Sequence, residues 1–329
     1  MTTQADNSMQ IAGARSLQHF PIAFFAVVMG MWGWVLAMQA IAGQFPVFLP
    51  VAEILRGVAT AVLLVVVALY GLKLLRYPQA CVAEWKAPPK LAFFPAISIS
   101  VLLMATAYLP FAPEFARIVW IVAVILQGIL TLAVISSWIS HRAFQVGHLS
   151  PAWFIPAVGN VIVPVAGAQL GYIELSWLFF SGGLIFWLVL LTLVMNRLMF
   201  HDPLPGKLLP TLVILIAPPA LAFLAYVQLA GGVDSFARVL LNAAYVFALL
   251  VLIQARNFAK LPFSLSWWAL SFPVAGLTVA SLLFGVLTVS SVHIWIGAML
   301  GGVLSVIVVL LTLRTLRALG GGAFFSPEG

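Results

Sequence analysis

Side chains able to move a proton, bind a metal or attack a substrate are scarce in this chain and spaced too widely to cooperate. The five histidines, His19, His141, His148, His201 and His293, all fall near the ends of apolar stretches. His141 and His148 share one polar segment, but neither a His-x-x-x-His spacing nor a carboxylate partner accompanies them, so no metal centre is expected. The single cysteine, Cys81, excludes a disulfide within the chain and a cysteine-based metal site. No nucleophile stands beside a base. No enzyme, cofactor or nucleic-acid partner is expected.

What remains is the weaker chemistry of hydroxyls, amides, aromatic rings and backbone dipoles. It gathers in one stretch, residues 263–280, which reads FSLSWWALSFPVAGLTVA. Ser264 or Ser266 suits the free N–H groups of a helix start. Trp267 and Trp268 suit the boundary between headgroups and hydrocarbon. Pro273 then interrupts an apolar helix, with Phe272 before it and the small Ser271, Ala275 and Gly276 around it. A proline removes a helical hydrogen bond, and membranes tolerate that only where protein or water satisfies the freed carbonyl. A ring at such a break fits either a plug in a cavity or an ordinary packed aromatic.

Composition defines the surroundings of this stretch. The 329 residues are 64% hydrophobic and 7% charged, with a mean hydropathy of +1.17. Soluble domains carry about 25% charged residues, so this chain is expected to be a polytopic, all-α membrane protein in contact with lipid. Spans of about 20 apolar residues are predicted at 20–41, 51–75, 91–109, 113–139, 156–172, 175–197, 208–229, 234–256, 264–289 and 292–319. They form one transmembrane domain, 20–319, between cytoplasmic tails at 1–19 and 320–329. Residues 1–19 are polar and no cleavable leader is expected. Of the fifteen Lys and Arg, twelve fall on one side of this topology and only Arg56, Arg117 and Arg238 on the other. Cations mark the cytoplasmic side, which places both termini there.

The acids expose a repeat. Glu53, Glu114, Glu174 and Asp234 each open an even-numbered span, at intervals of 61, 60 and 60 residues. Arg56, Arg117 and Arg238 follow at helical spacing for an ion pair. Two helices per period means that successive hairpins insert the same way round, unlike the inverted repeats of many carriers. Pro95, Pro156 and Pro218 recur near the same spacing in odd spans, with Pro273 slightly early. The apolar parts of the odd spans hold no Asp, Glu, Lys, Arg or His. Intramembrane ionisable groups mark proton relays and coupled transport, so a proton-coupled mechanism is disfavoured. The mid-depth polar candidates include Ser98, Asn160, Ser271 and Thr278. Asn160 fits an interhelical hydrogen bond as well as an ion ligand.

Three motifs carry a family resemblance. Trp267-Trp268-Ala269-x-x-Phe272-Pro273 is similar to the ninth helix of the bacterial tellurite-resistance TehA proteins and of the slow-type anion channels of plant guard cells. His148-Leu-Ser-Pro-Ala-Trp-Phe-Ile-Pro-Ala-Val-Gly-Asn160 resembles the approach to the fifth helix. Phe20-Pro21-x-x-x-Phe25-x-x-x-x-Gly30 resembles the first, although that helix has Gly30 and Gly33 and no central proline. The resemblance runs from Phe20 to Leu319. It implies five same-orientation hairpins around a pore, with odd helices inside, kinked at Pro95, Pro156, Pro218 and Pro273, and Phe272 as the ring that occludes it. Ser98, Asn160, Ser271 and Thr278 become candidate lining groups. It further implies a homotrimer in a bacterial inner membrane, passing chloride, nitrate and tellurite or related oxyanions. The alternative is a secondary carrier or exporter for C4-dicarboxylates, sulfite or tellurite.

Overall fold

The computed structural model describes residues 16–140, 144–258 and 260–325. Arg15, His141, Arg142 and the outer parts of both tails lie outside the described residues. Within them the chain is helical throughout, and nine helices are long and apolar enough to cross a membrane. A tenth apolar stretch, Pro151–Gly167, is shorter.

We number the ten main helices α1 Phe24–Gln44, α2 Leu49–Arg76, α3 Ala96–Tyr108, α4 Pro113–Ser140, α5 Phe154–Gly167, α6 Ile173–Phe200, α7 Ala217–Ala230, α8 Ser235–Phe258, α9 Ser271–Leu287 and α10 Ser291–Gly320. The expected fifth span, 156–172, is the one that differs most. The 14 residues of α5 rise only about 21 Å, short of the ~30 Å hydrocarbon core. A 3-10 turn, Pro151–Trp153, leads into α5, and the turn after it closes at Gly171 with φ +87°, a backbone conformation that costs glycine little.

Burial alternates along the chain. The spans containing α1, α3, α7 and α9 are 67–83% buried, whereas those containing α2, α4, α6, α8 and α10 are 28–39% buried. In α5 every residue except Val165 is buried. Packing explains the alternation. Each odd helix pairs with the even helix that follows it. The odd helices also pack on one another in a closed cycle, α1 on α3, α3 on α5, α5 on α7, α7 on α9, and α9 back on α1. The even helices expose their remaining apolar faces, as expected for a lipid solvent that offers no penalty to Leu, Ile or Val.

The prolines stand where sequence placed breaks, but their local role is different. Pro95 immediately precedes α3, Pro156 is the third residue of α5, Pro218 the second of α7 and Pro273 the third of α9. At each of these positions the fixed proline φ suits the start of the α-helical segment. Tighter 3-10 runs, Gly206–Ile216 and Leu265–Leu270, lead directly into α7 and α9. α1 carries no such interruption across its 21 residues.

Among the expected acid–Arg pairs, only Glu114–Arg117 forms an ion pair. The Arg56 guanidinium lies 3.8 Å from the Phe111 ring centroid, and that of Arg238 lies 5.3 Å from Phe284. Asp234 instead caps α8, accepting from the Ala237 N–H at 2.9 Å and from the Tyr226 hydroxyl. Those two bonds, the backbone one foremost, hold its carboxyl below the usual range. The stabilisation is therefore present above the ordinary carboxylate pKa and is lost only as pH falls through the lowered value.

Candidate functional site

The cycle of odd helices encloses two cavities that meet at one side chain. Phe272 lines both. The cavity on the N-terminal side of α9 has a volume of about 40 Å³, and its wall includes Met29, Val158, Ile214 and Trp268. The cavity on the C-terminal side measures about 80 Å³, with Leu36, Leu103, Ile162 and Leu221 in its wall. Each is walled by residues from all five odd helices or their lead-in segments.

Several features fix the ring between them. Phe272 and Pro273 are the second and third residues of α9, so the ring projects from the first turn, just past the junction of the 3-10 run with the α-helix. On α1, a Cβ at Gly33 would come within 3.3 Å of Phe272 Cδ2 and 2.9 Å of the Ala275 methyl. One turn earlier, a Cβ at Gly30 would come within 2.2 Å of Ser271 Oγ. The two bare glycine faces thus admit α9 against α1 at the height of the ring. Phe272 is itself 7% exposed.

The 3-10 run before α9 is tied down differently from expectation. Neither Ser264 nor Ser266 caps it; Ser266 Oγ donates across to the Lys207 carbonyl and joins the two 3-10 runs. Trp268 is fully buried within the protein, its Nε1 donating to Thr315 Oγ1 on α10 at 2.9 Å. Trp267, half-buried, donates to the Pro262 carbonyl.

The four polar residues expected at the lining stand in helix contacts behind it. Ser98 donates to Gln127 Oε1 on α4 at 2.6 Å and to the Pro95 carbonyl. Asn160 accepts from Gln127 and Thr131 of the same helix. Ser271 donates to the Trp268 carbonyl and faces Gly30. Thr278 donates to the Val274 carbonyl and packs its methyl towards Gly301 on α10. The polar groups that do reach the cavities are Thr211 and Ser266 on the N-terminal side and Thr106 on the other. All three spend their hydroxyl protons on backbone carbonyls, of Leu208, Lys207 and Leu102. The cavities therefore present hydrocarbon and lone pairs, with no free hydroxyl donor among these three.

A second polar cluster, not anticipated from sequence, anchors the N-terminal end of α1. Lys73 is 1% exposed, and its Nζ donates to Glu84 Oε2 at 2.7 Å and to the Phe20 carbonyl at 2.8 Å. Tyr70 donates to the same carboxylate, and Glu84 Oε1 accepts from the Ile22 N–H. Glu84 belongs to a short helix, Pro78–Lys86, that folds back beneath α2. Removing one member of a buried ion pair leaves an uncompensated charge, which costs about 3–5 kcal/mol. Glu84→Leu is therefore expected to lower the melting temperature of the purified protein far more than the exposed Glu114→Leu, as read by a thermal-shift assay in detergent.

A closed cycle of apolar helices within a lipid-facing shell defines a polytopic helical membrane protein. The chain belongs to the voltage-dependent anion channel family, whose profile matches residues 19–316. It is 26% identical over 311 residues to the tellurite resistance protein TehA homolog of Haemophilus influenzae, covering 93% of this chain and 92% of that one. It is 25% identical over 282 residues to the S-type anion channel SLAH3 of Arabidopsis thaliana, covering 84% of this chain and 44% of that protein. The guard cell S-type anion channel SLAC1 of the same plant is 25% identical over 278 residues. The chain thus spans half or less of the length of these two plant channels, and nearly all of the Haemophilus protein.

Proposed function

We propose that the protein is an anion channel whose pore runs through the cycle of odd helices and is occluded by Phe272. In this reading the ten helices form five same-orientation hairpins. The observation that carries it is the position of the Phe272 ring between two cavities walled by all five odd helices. Two further features support it. The odd helices contain no Asp, Glu, Lys, Arg or His, which leaves an ion weakly held and able to leave. Their α-helical segments also begin around the N-terminal cavity, so the positive ends of their dipoles favour an anion there. Small inorganic anions such as chloride and nitrate are the proposed permeants, with tellurite or related oxyanions as a physiological cargo. The protein acts as a homotrimer with one pore per protomer, in a bacterial inner membrane, with both termini cytoplasmic.

Currents through reconstituted protein test this reading. A channel gives a smooth current–voltage relation whose reversal potential follows the anion gradient and ignores the proton gradient. Saturable uptake of a C4-dicarboxylate or sulfite, driven by pH, would replace the channel with a carrier.

Topology has its own test. In a Cys81→Ser background, a membrane-impermeant thiol reagent is expected to label Gly232→Cys, in the α7–α8 turn, from outside the cell. Pro205→Cys, after α6, should be labelled only once the cytoplasmic side is opened. The reverse pattern would overturn the orientation, and labelling of both from one side would break the ten-helix count.

A further inference from the structure

The plug hangs from α9, whose neighbours in the cycle are α7 and α1. The two remaining odd helices, α3 and α5, form the wall across from it. One buried side chain ties that wall together. Gln127, on the outer helix α4, accepts from Ser98 on α3 through Oε1 at 2.6 Å. Its Nε2 faces the Pro156 carbonyl at 3.2 Å and Asn160 Oδ1 at 3.3 Å, both on α5, and Thr131 Oγ1 at 2.8 Å. Ser98 extends the chain of bonds to the Pro95 carbonyl. The knot therefore joins the proline starts of both helices. It is sealed from solvent, with Gln127 and Ser98 each 0% exposed.

Two observations mark the knot as a local device and not general membrane packing. Gln127 lies thirteen residues after Glu114 in the repeat, and the same offset after Glu53, Glu174 and Asp234 gives Val66, Trp187 and Phe247. Among the four hairpins that carry the acid, the amide thus replaces an apolar side chain in one only. Its seat is also tailored, since a Cβ at Gly159 would come within 2.3 Å of Gln127 Nε2. On α5 the knot reaches Pro156 and Asn160, between which Val158 lines one cavity, while Ile162, just beyond, lines the other. It stands behind the wall at the height of the plug.

We propose that Gln127 is a positioning residue that fixes the spacing of α3 and α5, and through it the size limit of the constriction. This inference rests on the channel reading above. Buried amide networks of this kind specify one geometry because every alternative leaves a polar group unpaired. Without the knot, the two helices share only non-directional apolar contacts, and the wall can part to admit larger anions.

The test is made on reconstituted full-length protein carrying Phe272→Ala, so that the wall and not the plug sets the limit. The permeability of perchlorate relative to chloride is read from reversal potentials, before and after adding Ser98→Ala or Gln127→Leu. Each is expected to raise the ratio by about threefold, the factor that one interhelical hydrogen bond of average strength carries. Ser98→Ala cuts only the arm to α3 and decides the matter alone if Gln127→Leu fails to fold. An unchanged ratio in protein that folds and conducts would overturn the positioning role, marking Gln127 as a stabiliser, and would leave the channel reading standing. If Phe272→Ala alone conducts no better than wild type, the assignment of Phe272 as the occluding ring fails, a result distinct from an unchanged ratio.

Discussion

Phe272→Ala is expected to raise anion conductance severalfold or more while protein yield stays close to wild type. The ring separates cavities of about 40 and 80 Å³, and its truncation to a methyl group merges them. A dry aromatic constriction bars an ion because an unhydrated charge finds no partner there. Opening a path that water can enter lowers that barrier, and each ~1.4 kcal/mol removed is a factor of ten in rate. Phe272→Leu should fall between, because it keeps bulk without the flat ring.

The competing account predicts a different pair of numbers. If Phe272 were ordinary core packing, truncation would cost about 3–5 kcal/mol of stability and conductance per folded molecule would stay flat. Its surroundings argue against that outcome. The ring sits against empty space on two sides and against the bare backbone face of Gly33 on a third, so fewer contacts are lost than in a close-packed core. Single-channel recording alongside thermal melting of the same preparation separates the two accounts.

Much of this arrangement is legible in the sequence, for physical reasons that also explain what is not. Apolar length reveals the spans, because the bilayer penalises charge wherever it is unpaired. The 60-residue spacing of the acids points to the hairpin repeat proposed above. The prolines reveal where the odd spans break, but a proline at a first turn and one in mid-helix look identical in sequence. The 3-10 runs before α7 and α9 were therefore hidden. Those runs bring Thr211 and Ser266 to the cavity, at positions that a continuous 3.6-residue periodicity would not single out.

Partner choice was the other blind spot. Arg56 and Arg238 have an acid at helical spacing, yet turn to aromatic rings. An exposed ion pair and a cation–π contact are each worth about 0.5–1 kcal/mol, so spacing alone could not decide between them. Lys73 and Glu84 are eleven residues apart across the bend at Tyr77 and Pro78, and only the folded-back helix brings them within 2.7 Å. Ser98 and Asn160 were visible as mid-depth polar residues, but their partner Gln127 lies on an even helix, where a single amide gives no pattern to notice.

Permeation is expected to follow ease of dehydration, with nitrate and iodide above chloride, and chloride above sulfate and malate. Thr211, Ser266 and Thr106 are the polar side chains at the two cavities, and their protons are already bound to backbone carbonyls. An anion passing the constriction therefore gives up water and receives little in exchange beyond the field of the helix dipoles. The cost of losing water grows with the square of charge and falls with ionic radius. A large monovalent anion then crosses most easily, and a divalent one meets a much higher barrier. A carrier site would reverse the order, because a bound dicarboxylate is held by fixed cations such as paired Arg forks, and no Lys or Arg occurs in the odd helices. Bi-ionic reversal potentials measured on the Phe272→Ala protein give the sequence directly, with currents large enough to rank every ion. A preference for malate over chloride would exclude the dehydration mechanism and with it the uncharged pore on which it depends.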